Sequence, residues 1–298
     1  MSRIMAVDIG NSSIAVGIFN GTELEFTGKI GTMRDYTEKE LIKALSGLLK
    51  NYIHEKSFEK CHNTFVDYPF EGSILSSVVP EINVVTLRAM EEITGKKPLM
   101  MSSLLHTQID VSKYDEGRIG ADRIVDLSAA KALFPDRPVM VCDLGTCTTI
   151  TVADENGQLA GGMISPGIQL CLDAEAQRTA QLPQLSAGEV TEILGTDTVS
   201  NMMSGAVAGT AMMIQGVAKR VASKYHFDEM ELVITGGLGE YVIPWMEMDV
   251  YYEKQLLLKG LNAIYWLNSN CDEMGVKYAT REKYTIRSYR RDRSLQVG

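Results

Sequence analysis

The sequence predicts an α/β protein made of two duplicated domains, with a cleft expected between them. Three observations carry that expectation. The stretch "MAVDIGNSSIAVGIFNG" near the start recurs as "MVCDLGTCTTITVADENG", with Met5 over Met140, Asp8 over Asp143 and Gly10 over Gly145. Apolar runs of strand character alternate with amphipathic helical stretches along the chain. At 298 residues the chain is long enough for two domains of ordinary size, each with its own core.

The elements follow in order. Residues 4–9 and 14–19 read as strands around a Gly10-Asn11-Ser12 turn, and Asn20-Gly21 signals a hairpin into a third strand. "TEKELIKALSGLLKNYI" is an amphipathic helix opened by a Thr37/Glu40 capping box. "GSILSSVVP" is a strand stopped by Pro80, and "EINVVTLRAMEEITG" is a helix closed by Gly95. "KPLMM" is a further strand. The pattern restarts near residue 118 with the helix "GADRIVDLSAAKALF" and three strands over "PVMVCDLGTCTTITVADENGQLAGGMI". A long helix rich in small residues and methionine follows, then the strand "ELVIT" running into a glycine turn, and a closing helix "LLLKGLNAIYWLNS". This places one domain at residues 1–118, a second at 119–270, and a polar, partly basic tail at 271–298.

Composition narrows the function. A hydrophobic fraction of 45% and a charged fraction of 22% describe a globular protein. The formal net charge of -9 argues against a nucleic-acid partner, because phosphate backbones select basic surfaces. No apolar run is long enough for a membrane helix, and Asp8 interrupts the only N-terminal apolar stretch, so a cytoplasmic protein with no membrane partner is expected. The five cysteines (Cys61, Cys142, Cys147, Cys171, Cys271) form no CxxC pair, and the four histidines (His54, His62, His106, His226) show no metal-binding spacing.

The chemistry concentrates at the two acidic turns. Glycine admits a tight turn and close approach to backbone N–H groups. Together with Asn11, Ser12 and Ser13, or with Thr146, Thr148 and Thr149 in the second copy, such turns form nests for phosphate oxygens. An acid beside each nest calls for a cation, so Asp8 and Asp143 read as organisers of Mg²⁺, directly or through water, or of a monovalent cation. There is no GxxxxGK[ST] and no GxGxxG in a strand–helix setting, which disfavours P-loop and Rossmann sites. Between the repeats, Gly120 precedes Asp122 and Arg123. An aspartate there can take a proton from an attacking alcohol, and the arginine can fork onto a carboxylate. Gly161, Gly162 and Gly167 in "GGMISPG", and "TGG" at 235–237, are candidate places for backbone to close on a ligand.

The ordered set "DIGNS", "SSVVP", "GADR", "DLGTCTT", "GGMISPG", "GTDT" and "ITGG" resembles type III pantothenate kinase over about residues 4–268. The resemblance implies the acetate and sugar kinase/heat-shock ATPase/actin architecture, with two ribonuclease-H-like halves. It implies ATP-dependent phosphorylation of pantothenate to 4′-phosphopantothenate, the first step of coenzyme A synthesis. It places ATP on Asp8, Ile9, Gly10, Asn11, Ser12, Ser13, Ile14, Ala15 and Thr146. It makes Asp122 the general base and lines the pantothenate pocket with Tyr114, Gly120, Ala121, Asp122, Arg123 and Thr198. It makes Asp143 the ligand of potassium or ammonium, and it implies a homodimer with the substrate pocket at the subunit interface. The chain departs from the pattern at Asn11-Ser12, where Asn-Thr is usual, and at "YDEGRIGADR", which lacks the proline that usually follows the tyrosine. Two other readings stay open: the same fold with a sugar or short-acid acceptor, and a non-enzymatic binding partner.

Overall fold

The computed structural model describes residues 3–57, 69–102, 104–114 and 119–269. Cys61, His62, Cys271 and the expected tail lie outside these residues. By internal contacts the described chain divides into two units. One takes the residues within Met1–Gln108, Gly117–Ala129 and Leu257–Thr280, and the other those within Ile109–Glu116 and Ala130–Leu256. The units interleave along the chain, whereas the sequence reading runs one domain over residues 1–118 and the next over 119–270. The difference arises because the start of the helix Ala121–Leu133 and the closing helix both pack on the first sheet.

In the first unit β1 (Arg3–Ile9) is a near-continuous apolar run, as a central strand buried on both faces requires. It pairs antiparallel with β2 (Ser13–Asn20), which pairs antiparallel with β3 (Glu23–Gly31). On its other side it pairs parallel with β4 (Phe70–Ser77), and β4 pairs parallel with β5 (Leu99–Met100). The order is β3-β2-β1-β4-β5. Period-2 alternation sends Met5, Val7 and Ile9 into a core with α1 (Glu38–Ser57) and α2 (Asn83–Thr94). Ile4 and Ala6 enter a second core with Val125 of α3 (Ala121–Leu133) and with Leu258, Leu261 and Ile264 of the closing helix α7 (Leu256–Asn268). Asp8 continues the Ile4–Ala6 face. At the opposite end of β1, buried Arg3 donates from Nε to Tyr52 Oη at 3.0 Å, and Tyr52 donates to Glu25 Oε2 at 2.5 Å.

The second unit repeats this plan. Its strands are β6 (Val139–Leu144), β7 (Cys147–Ala153), β8 (Leu159–Pro166), β9 (Glu231–Thr235) and β10 (Tyr251–Tyr252), in the order β10-β9-β6-β7-β8. Directions also match: β6–β7 and β7–β8 are antiparallel, while β6–β9 and β9–β10 are parallel. Met140, Cys142 and Leu144 enter a core with α4 (Ile168–Arg178), α5 (Thr198–Tyr225) and α6 (Gly239–Val242), and Asp143 lies on the other face. Two five-stranded sheets of one order and one set of directions establish the duplication. Lys131 anchors the end of α3, its Nζ donating to the carbonyls of Arg137 (2.9 Å), Glu155 (2.8 Å) and Asp154 (3.3 Å).

Two features depart from the sequence reading. The overlay of the repeats runs in step only to the glycine: Asp8 pairs across with Ala15 but Asp143 with Thr149, so the first turn is one residue longer. And α4 forms over Ile168–Arg178, just after "GGMISPG", where the sequence reading assigns no element. Its only buried residues are Ile168 and Leu172, one turn apart, and its N-cap Gly167 supplies no side-chain cap. Neither the periodicity nor the capping signal marks it.

Candidate active site

The β1–β2 turn closes on itself. Gly10 N–H donates to Ser13 O at 3.0 Å, Thr32 Oγ1 donates to Gly10 O at 2.7 Å, and Thr32 N–H donates to Ser12 O at 3.2 Å. The glycine N–H is thus spent inside the turn, and the exposed tip is Asn11 and Ser12. Ile9 and Ile14 are fully buried in the α1/α2 core, so their side chains serve packing and only their backbone can reach a phosphate. Ala15 is half-buried against the α3/α7 core. Asp8, half-buried at the end of β1, lies on the sheet face on which Ala121 of α3 packs.

Asp122 sits in the first turn of α3, where a carboxylate complements the helix dipole. Arg123 N–H donates to its Oδ1 at 2.8 Å. A side chain at residue 120 would collide with that same oxygen, so Gly120 keeps the space the carboxylate occupies. The Arg123 side chain is buried.

In the second unit the β6–β7 turn copies the first: Gly145 N–H donates to Cys147 O at 3.1 Å, leaving exposed Thr146 at the tip. Asp143 is half-buried beside it. Gly236 has φ +88°, and a β-carbon there would lie 2.6 Å from both Asp143 Oδ1 and Leu144 O. Two oxygens therefore converge on one bare backbone position. Gly167 is pressed onto the carbonyls of Gly145 and Thr146, and its N–H donates to Thr146 O at 3.0 Å. That glycine closes on the chain's own turn. A cavity of about 550 Å³ between β7–β8 and α5 is lined by Ile150, Val152, Met163, Met213, Gly216 and Val217 among others. Gly161 and Gly162, two of the glycines expected to close on a ligand, line it, whereas none of the residues expected to hold ATP, pantothenate or a cation does.

Residues 4–220 match the family model described as type III pantothenate kinase. The chain belongs to the type III pantothenate kinase family. Curated type III pantothenate kinases similar to it include that of Agathobacter rectalis, 32% identical over 262 residues (88% of this chain, 96% of the relative). That of Brevibacillus brevis is 31% identical over 271 residues (90% and 100%). Among solved structures, the ethanolamine utilization protein EutJ from Carboxydothermus hydrogenoformans is similar in fold, with a TM-score of 0.51 at 14% identity over 89% of this chain and 90% of that one. A Baf family protein from Campylobacter jejuni is similar at a TM-score of 0.54 and 18% identity, covering 89% and 99%.

Against the type III pantothenate kinase pattern, the expected site residues divide between the units. Asp8 to Ala15 and Gly120 to Arg123 fall in the first unit, while Tyr114, Asp143, Thr146 and Thr198 fall in the second. Tyr114 is half-buried, with its N–H donating to Val111 O at 2.9 Å. Thr198 is exposed at the start of α5. Asp197 caps that helix, accepting from Ser200 N–H at 3.0 Å and Ser200 Oγ at 2.8 Å. These bonds hold its carboxyl below the usual range. Among the described residues no three His, Cys, Asp or Glu side chains group to hold a metal. No helix among the described residues is long and apolar enough to cross a membrane. The Cys142 thiol is buried and pushed up by that burial, as an inert core group would be.

Proposed function

We propose that this type III pantothenate kinase uses Asp122 as the general base in ATP-dependent phosphorylation of pantothenate to 4′-phosphopantothenate, the first step of coenzyme A synthesis. The observation that carries the reading is the placement of Asp122 at the start of α3, with its Oδ1 fixed by the Arg123 N–H and by the space left at Gly120. A carboxylate so held accepts the proton of the pantothenate hydroxyl as that oxygen attacks the γ-phosphorus in line. Buried Arg123, with Gly120, Ala121, Tyr114 and Thr198, orients pantothenate, the guanidinium pairing with its carboxylate.

The turn from Asp8 to Ala15 and the tip residue Thr146 grip the ATP phosphates through backbone N–H and hydroxyl groups. Asp8 fits a Mg²⁺ ligand, directly or through water, since it ends β1 beside the exposed Asn11-Ser12 tip. Asp143 Oδ1 and Leu144 O, converging on Gly236, fit a potassium or ammonium ion. When bound, these ions neutralise charge that spreads over the phosphoryl oxygens. The rest of the catalysis is positioning by the chain's own groups. The proposal includes a homodimer with the pantothenate pocket at the subunit interface, and action in the cytoplasm, where ATP is at hand. No nucleic-acid or membrane partner enters it.

The test measures ADP release with and without pantothenate, in sodium and then in potassium, for the wild type and Asp122→Asn. The reading expects pantothenate-dependent release, stimulated by potassium and lost in Asp122→Asn. Full activity of Asp122→Asn removes the base assignment. Release indifferent to both additions removes the acceptor and the Asp143 site together.

A further inference from the structure

The motif Ser76-Ser77-Val78-Val79-Pro80 is part of the resemblance to the family pattern, yet none of its residues is among those proposed to hold ATP, pantothenate or a cation. Its two serines differ. Ser77 closes the end of β4: its Oγ accepts from Val79 N–H at 3.0 Å, while the next N–H, of Val78, donates to Ile9 O at 3.0 Å. Ser76 is 0% exposed, and its Oγ has no hydrogen-bond partner among the described residues. Native interiors rarely leave a hydroxyl in that state, because it has lost its water and gained nothing.

The register says what stands beside it. Ser76 is the parallel partner of Asp8 on β1. Both continue the face of Ile4, Ala6 and Ile74, under α3 and α7. Adjacent strands hold such side chains about 4.8 Å apart. On the other flank β5 pairs Ile74 with Leu99 and Leu75 with Met100, so the residue level with Ser76 is Met101, a buried apolar side chain of the same core. Asp8 is therefore the ionic acceptor beside this hydroxyl along the sheet.

We propose that Ser76 is a positioning residue for the phosphate-site carboxylate: when Mg²⁺ and nucleotide are bound, its O–H donates to Asp8 and fixes the rotamer that faces the cation. This rests on the reading of Asp8 as the Mg²⁺ organiser. Groups of this kind, which orient a ligand without touching the metal, change metal affinity by about 10- to 100-fold when removed.

The molecule holds its own control. Ser73 on the same strand is also 0% exposed with an unpartnered Oγ, but it lies on the opposite face, with Leu75, toward the α1/α2 core. The experiment compares wild type, Ser76→Ala and Ser73→Ala by the Mg²⁺ concentration needed for ADP to raise Tm, a readout independent of turnover. Ser76→Ala is expected to keep or raise the ligand-free Tm and to raise the Mg²⁺ midpoint on the order of 10-fold, with Ser73→Ala matching wild type. The proposal is overturned by a Ser76→Ala midpoint within about twofold of wild type, since losing a donor that orients the metal's carboxylate should cost far more. It is also overturned by an equal shift in Ser73→Ala, or by a ligand-free Tm that drops in Ser76→Ala, which marks a hydroxyl needed by the fold itself. A wild type that shows no Mg²⁺-dependent stabilisation by ADP overturns the Asp8 reading, and this proposal with it.

Discussion

The Asp122 carboxylate fills the space that a side chain on Gly120 would need, and the Arg123 N–H holds the same Oδ1 at 2.8 Å. The glycine thus works on the acid two residues on, through sterics rather than through a turn. Gly120→Ala must rotate Asp122 or shift the first turn of α3. A displacement of that size at a reacting group costs on the order of 100-fold in rate. Steady-state kinetics of Gly120→Ala should show kcat for pantothenate phosphorylation falling by about that factor, with ADP–Mg²⁺ stabilisation intact because Asp8 is untouched. A kcat near wild type would show that the carboxylate has room to spare.

Gly236 stands in the same relation to Asp143, with φ +88° and a would-be β-carbon 2.6 Å from Oδ1. Alanine there incurs the left-handed penalty of roughly 1–2 kcal/mol and displaces the carboxylate. Gly236→Ala should melt lower and require more potassium for half-maximal activity. Gly237→Ala, whose β-carbon would meet nothing within 4 Å, should do neither. Equal behaviour of the two variants would detach the Asp143 cation site from Gly236.

Tyr52 is pushed up to about 12, first by burial and then by the hydrogen bond to Glu25. A tyrosine whose folded pKa exceeds its unfolded value of about 10 stabilises the fold fully below pH 10 and loses that contribution as pH rises through 12. The linked stabilisation is on the order of 2–3 kcal/mol. Between pH 10 and 12 the wild type should therefore lose Tm more steeply than Tyr52→Phe. Parallel curves for the two would place the titration elsewhere.

Asp197 is held below the carboxylate range by the Ser200 N–H and the Ser200 hydroxyl. A depressed acid contributes its stability above the unfolded value near 4 and loses it as pH falls through the folded pKa. The first turn it caps carries Thr198. Asp197→Ala should raise KM for pantothenate at neutral pH, whereas Asp197→Asn, which retains a capping oxygen, should stay close to wild type. An unchanged KM in Asp197→Ala would separate Thr198 from substrate binding.

Much of this was readable along the chain, because the signals are local. The Thr37/Glu40 capping box forms as expected, with Thr37 N–H donating to Glu40 at 2.9 Å, and Gly95 ends α2 at φ +67°. Alternation and turn chemistry placed both acids at the ends of central strands, since strand period and glycine turns act over a few residues. Helix α4 escaped because two buried residues one turn apart carry too little periodicity.

The sequence alone settled that two copies of a strand–acid–glycine turn exist and to which family pattern they answer, and it named the candidate residues for the chemistry. The tertiary structure decided which of those residues are spent on the fold. Gly10 N–H bonds inside its own turn, Ile9 and Ile14 belong to a core, and Gly167 packs on Thr146. It also set Ser76 beside Asp8. Parallel strands are joined by a long crossover, so their register is fixed by packing across the sheet and leaves no mark in the residues near either strand.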